Sequence, residues 1–232
     1  MRLAIMQPYF FPYIGYFQLI SAVDLFIVYD NIKYSKKGWI NRNRILQNGK
    51  DKVFSLPLKG GSDYLNICER ELAPNFDRDK LLNQIKNSYR CAPNFALTFP
   101  LVEQILRFED PNLFLFLLNL IKKICDFLNI KTEIKKSSDI SINHDLKKVD
   151  KVIGICAAVD AKSYINTIGG KELYSKDTFL KKSIELKFIQ SKPFEYSQFG
   201  DAFIPWLSII DVIMFNPIDT IKTKIITNFE LI

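Results

Sequence analysis

Four cations and two side-chain amides fall within nine residues at Lys36, Lys37, Asn41, Arg42, Asn43 and Arg44, with Trp39 among them. On an extended chain alternate side chains share a face, so Arg42 and Arg44 point one way while Asn41 and Asn43 point the other. Guanidinium forks hold phosphate through paired hydrogen bonds, and an indole stacks on a base or sugar. The bland alternative is a solvated basic edge strand. The amides and Trp39 are not typical edge filler, so the pattern favours a phosphate-bearing ligand.

A second set of candidates lies at the ends of two apolar runs, Arg2 to Met6 and Leu25 to Tyr29. Runs without polar interruption read as strands buried on both faces. About eighteen residues separate them, enough for a crossover and too many for a hairpin, so the pair should be parallel. Ligands of such units sit beyond the carboxyl ends of the strands, which the chain leaves at Gln7 and Asp30. Gln7, Tyr16 and Asp30 are therefore the catalytic candidates. Asp30 can orient an amine or hydroxyl or accept its proton, and equally can cap a turn. Pro8 and Pro12 stiffen the loop, Tyr9 contributes to an aromatic wall, and Gly15 permits close approach at the start of a helix whose amides suit phosphate. Asn166, Gly169 and Gly170 should fall on the same rim, at a later strand end.

Other chemistries are excluded. The single histidine, His144, leaves no Ser-His-Asp or Cys-His constellation and no zinc site without help from the scattered cysteines. No metal is expected, and catalysis would rest on positioning and charge stabilisation. Cys68, Cys91, Cys125 and Cys156 form no C-x-x-C pair and read as reduced thiols of a cytoplasmic protein. The net charge of +7 is spread along the chain and fits either solubility or a polyanionic partner. No signal-peptide design opens the sequence. The most apolar segment, Leu113 to Ile121, falls far short of the roughly 20 residues a membrane span needs.

The positioning elements follow in order. Asn48-Gly49 marks a hairpin turn after the basic segment. Leu65 to Ala73 reads as a short strand. Asp77 caps a helix to about Tyr89, Pro93 opens another that Pro100 should interrupt, and Asp110 and Pro111 make the cap and first turn of a buried third from Asn112 to Leu128. Strand-like 131–135, a helix from Asn143 or Asp145 through Val159, strand 163–166, helix 176–182, strand 185–190 and an apolar helix 206–215 complete the pattern. The alternation predicts an α/β fold: a mostly parallel, Rossmann-like sheet with helices on both faces. Residues 1–232 read as one domain with a helical insertion at about 77–130.

Three blocks, Met6 to Ile20, Gly38 to Ile45 and Phe203 to Asn216, resemble the signature of the bacterial WbqC-like family, in the family's order and across nearly the whole chain. Similar proteins are associated with surface-polysaccharide gene clusters, and some are labelled glycine transferases. The resemblance implies acyl or aminoacyl transfer, glycyl among the candidates, to the amine of a nucleotide-linked amino sugar during O-antigen, capsule or glycan assembly. The donor stays open between an aminoacyl-tRNA, an adenylate made with ATP, and a CoA thioester. A non-catalytic module binding a nucleotide sugar or RNA is the alternative. The Tyr13-Ile-Gly-Tyr16 loop also sits where nucleotidyltransferases carry H-x-G-H, although both histidines are absent.

Overall fold

The computed structural model describes residues 1–200 and 202–232. The first half comprises β1 (Arg2–Met6), α1 (Ile14–Ser21), β2 (Leu25–Val28), a hairpin of β3 (Arg42–Gln47) and β4 (Lys50–Ser55), and helices α2 (Arg78–Tyr89), α3 (Phe95–Leu106) and α4 (Leu113–Phe127). The second comprises β5 (Glu133–Lys136), α5 (Lys148–Ala158), β6 (Ser163–Thr167), α6 (Lys176–Leu180), β7 (Glu185–Ser191), α7 (Ile209–Phe215), α8 (Ile218–Thr227) and β8 (Phe229–Leu231).

Six strands form one sheet in the order β5-β2-β1-β6-β7-β8, parallel throughout except for β8 at the edge. β1 and β2 pair in parallel from Leu3–Leu25 to Met6–Val28, as their uninterrupted apolar character requires. Alternate residues bury on opposite faces. Leu3, Ile5, Leu25 and Ile27 pack with Val152, Ile155 and Cys156 of α5 and Phe179 of α6. Ala4, Phe26 and Val28 pack with Ile14 and Phe17 of α1 and with Ile221 and Ile225 of α8. Helices therefore cover both faces, and the fold is α/β with a mostly parallel sheet.

The strand order decides where a ligand can enter. The chain steps outward from β1 to β2 to β5, then returns to the other side of β1 as β6. Connections from neighbouring strand ends diverge at that reversal and leave a crevice over the carboxyl ends of β1 and β6. The β3–β4 hairpin stands outside the main sheet. Its turn, Asn48 and Gly49, takes positive φ at both residues (52° and 69°), as a twisted two-residue hairpin demands. The Tyr89 hydroxyl accepts from the Leu46 amide at 2.9 Å and so binds the hairpin to α2.

Asp77 accepts from the Lys80 amide to cap α2 as expected, whereas α4 is capped by Asn112, which accepts from the Leu115 amide, while Asp110 accepts from the Asn112 amide two residues earlier. Other expectations need correction. α3 runs unbroken through Pro100, because its buried side is Thr98, Val102, Ile105 and Leu106, while Pro100 and Ala96, whose carbonyl loses its partner, face solvent. Residues 65–73 form no strand, only a 3-10 turn at Ile67–Glu69 with isolated bridges. α5 begins at Lys148, after Asn143 has spent its side chain on the Asp145 amide in a preceding turn. Trp206 lies before α7 with φ 62°, a conformation that cannot belong to the helix, and Ser208 supplies the cap. α8 and β8 close the fold without having been foreseen.

Candidate functional site

A cleft of about 460 Å³ opens over the carboxyl ends of β1, β6 and β7. Met6, Thr167, Ile168, Ile189, Gln190 and Ser191 form its floor, and Tyr9, Tyr13, Trp39 and Trp206 its aromatic walls. Arg44 supplies the charge, and Gly15, Tyr16, Pro12 and Asn43 complete the lining.

Each wall is built by contacts between distant parts of the chain. The Phe10 amide donates to the Trp39 carbonyl, the Ile209 amide to Pro12, and the Ser208 amide to Arg44. Asn43, 5% exposed, gives both Nδ2 hydrogens to the carbonyls of Phe10 (3.0 Å) and Phe11 (2.8 Å) and fixes Phe11 at φ 43°. Residues 7–16, 38–45 and 203–209 thus meet around one cavity. Asn43 is a clamp on that loop, and its side chain has no amide hydrogen left for a ligand.

Arg44 lies on the same face of β3 as Arg42, as alternation predicts, and each guanidinium carbon is 5.8 Å from the Trp39 ring centroid. Arg44 Nη1 reaches Asp51 at 3.0 Å and Nη2 the Trp206 carbonyl at 3.2 Å, while buried Nε has no partner among the described residues. Arg42 is turned instead onto the carbonyls of Gly38 and Lys37, props their loop, and does not line the cleft. Asn41 bonds Tyr34 and the Leu56 carbonyl, and Lys37 is exposed. Neither reaches the cleft.

Helix α1 presents its N-terminus to the same space. Tyr13 at the cap makes no side-chain bond, and the first turn carries no acid. Gly15 is required by proximity: a Cβ there would meet Ser191 Oγ at 2.7 Å. Burial raises the pKa of Tyr9 and of Tyr13, so both walls stay neutral. Tyr16, whose pKa burial pushes well above its ordinary value, donates its hydroxyl to the Gln7 carbonyl at 3.0 Å. It braces the strand end and holds its proton.

The remaining strand-end candidates stand elsewhere. Gln7 and Pro8 lie outside the lining, although Gln7 lends its carbonyl to Tyr16. Asp30 leaves β2 on the far side of β1 and is 3% exposed. Its Oδ1 accepts from Ser137 Oγ at 2.6 Å and the Ser138 amide at 2.9 Å, joining the ends of β2 and β5. Burial alone would raise its pKa, but these hydrogen bonds together outweigh it, and the pKa falls below the ordinary 3.8. Asn166 turns back on the Thr167 amide, and a Cβ at Gly170 would strike its Nδ2 at 2.5 Å. Gly169 is exposed, and the chain reaches the cleft instead through Thr167 and Ile168.

Trp206 was missed as a wall residue, and its ring stands 5.1 Å from that of Tyr13. The segment bearing Trp206 is anchored by buried Asp211, which accepts from Tyr89 (2.9 Å), Tyr196 (2.7 Å) and Gln198 (2.6 Å). Gln198 in turn holds Ile204 through its backbone amide and carbonyl. Burial raises the Asp211 pKa despite these three donors. A buried acid in an apolar helix needs partners, and here they are three neutral donors.

Among the described residues no group of three metal-ligating side chains occurs, and no helix is long and apolar enough to cross a membrane. The chain is 28% identical over 215 residues to Rv1507c, an uncharacterized protein of Mycobacterium tuberculosis, a match covering 91% of this chain and 92% of the relative. No solved structure matches it. The model of the WbqC-like protein family matches residues 7–223, from the loop after β1 into α8, so the lining of the cleft except Met6 lies within the match and the chain belongs to that family.

Proposed function

We propose that this protein transfers an acyl or aminoacyl group, glycyl among the candidates, to the amine of a nucleotide-linked amino sugar, in the cytoplasm and toward a surface glycan. The supporting observation is the cleft: the Arg44 side chain and an uncapped helix N-terminus line one aromatic-walled cavity at the sheet's reversal point. Guanidinium and helix amides suit a diphosphate. Tyr9, Tyr13, Trp39 and Trp206 suit the flat faces of a base and a sugar. The reaction class comes from the family resemblance.

In that reaction the amine nitrogen attacks the donor's acyl carbonyl. A C–N bond forms, the bond to the tRNA ribose oxygen, adenylate oxygen or CoA sulfur breaks, and the amine gives up a proton. Among the described residues no carboxylate or histidine lines the cleft, and its tyrosines hold their protons. The amine must therefore arrive neutral, and its proton leaves to the departing group or to solvent. Arg44 and the α1 amides hold the diphosphate, Tyr16 braces the strand end, and the aromatic walls exclude water from the acyl carbon.

That the described lining residues include no base favours a second reading, a module that binds a nucleotide sugar without turning it over. Incubation with a dTDP-linked amino sugar and each donor class, followed by mass spectrometry, separates the two. Transfer gives a mass gain equal to the acyl group with one donor. Saturable sugar binding without mass gain under any donor supports the module.

A further inference from the structure

We infer a second phosphoryl-binding pocket, on the far side of the 36–39 loop from the cleft. A cavity of about 450 Å³ is lined by Lys33, Tyr34, Lys36, Asp63 and Arg70 among others. Lys36 belongs to this cavity and Trp39 to the cleft, so one short loop divides the two.

Arg70 is the observation that points to a ligand. It is 4% exposed, lies with its guanidinium carbon 4.8 Å from the Tyr34 ring centroid, and donates from Nη2 to the Ser62 carbonyl at 2.9 Å. Its Nε finds no acceptor among the described residues. Its sequence neighbours do not neutralise it: Glu69 accepts from the Asn66 amide at 2.7 Å and Glu71 pairs with Lys59 at 2.6 Å. Asp63 acts on this buried guanidinium only at a distance, without a hydrogen bond among the described residues, so its charge is under-compensated and an anion completes it.

The rim adds charge of the same sign. Lys33 Nζ stands 4.7 Å from the Tyr64 ring centroid and forms no ion pair among the described residues. Lys36 pairs with Asp63 at 2.6 Å, with both side chains more than half exposed. Such a pair is weak in water and readily exchanged for a more highly charged anion. Three cations thus face one carboxylate, and a tetrahedral dianion satisfies them better than Asp63 alone. The ligand chemistry is a phosphoryl group, carried by a small phosphorylated molecule or by a single RNA strand, for which exposed Tyr64 offers a stacking face. The pocket is independent of the reaction assigned to the cleft.

Titration of the full chain with inorganic pyrophosphate, followed through the Ser35 and Lys36 amide signals by NMR, tests the assignment. Saturable shifts are expected, with affinity about tenfold weaker in Lys33→Gln and in Lys36→Gln. Asp63→Asn, which removes the competing carboxylate from an exposed site, should tighten binding severalfold. Arg44→Gln should leave these shifts in place, which separates the pocket from the cleft. Competition by a short oligoribonucleotide would assign the phosphoryl group to RNA, and competition by uridine diphosphate alone would assign it to a small molecule. Signals that do not move, or affinities indifferent to Lys33→Gln and Asp63→Asn, would overturn the pocket.

Discussion

Arg44 Nη2 donates to the Trp206 carbonyl at 3.2 Å, across 162 residues of sequence. That bond closes the cleft between the β3–β4 hairpin and the segment ahead of α7, with Arg44 in the lining. Arg44→Ala should therefore weaken nucleotide-sugar binding by about ten- to a hundredfold, the usual effect of losing a charge-assisted contact. Arg42→Ala should act less, through its loop alone, and Lys122→Gln on the exposed side of α4 should change little. Calorimetric titration of the three variants checks the order. Equal losses would indicate diffuse attraction.

Gly15→Ala should narrow the cleft mouth and cost about 1–3 kcal/mol of stability, because the new Cβ would sit 2.7 Å from Ser191 Oγ. The Tyr13 ring, at 3.3 Å, has little room to give. Adding Ser191→Ala removes the nearest atom and should recover part of the loss in a urea denaturation double-mutant cycle. An additive cycle would show that the two residues do not compete for the same space.

Much of this arrangement was legible in the residues. Unbroken apolar runs announced β1 and β2, Asn48-Gly49 announced the hairpin, and Asp77 announced α2, while the cap of α4 falls at Asn112, two residues after the expected Asp110. Alternation put Arg42 and Arg44 on one face. What escaped depends on long-range pairing. Gln7 and Asp30 leave adjacent strands, yet the reversal falls on the β6 side of β1, which carries the cleft away from Asp30. Trp206 sits in an apolar run that reads as helix, and only its φ of 62° and the Asp211 network turn it toward Tyr13. Lys222 and Lys224 interrupt the apolar pattern of α8, while Ile221 and Ile225 fill the sheet face.

Asn43→Ala should cost about 2–4 kcal/mol, since it leaves the buried carbonyls of Phe10 and Phe11 without donors and frees Phe11 from φ 43°. The loss should appear as a lower urea midpoint with the m-value unchanged. A near-neutral result would remove Asn43 from its role as a clamp.

Two buried acids should give opposite pH signatures. Asp30 has a depressed pKa in the fold, so its ionised form contributes stability that is present at neutral pH and lost as pH falls through that value. Asp211 has a raised pKa, so the fold favours its protonated form and stability falls as pH rises through it. Asp30→Asn should therefore cost most at neutral pH and less in acid, whereas Asp211→Asn should cost more in acid than at neutral pH. Urea midpoints for both variants across pH 3 to 8 would read the crossing. Parallel profiles would contradict the assignment.

The chain's two tryptophans, Trp39 and Trp206, both line the cleft, so tryptophan emission reports directly on whatever enters it. Titration with a dTDP-linked amino sugar, corrected for absorption by the base, should give a saturable change in emission in the parent protein. In Arg44→Ala that change should need about ten- to a hundredfold more ligand. An emission spectrum that stays constant across the titration would contradict the cleft as the nucleotide-sugar site.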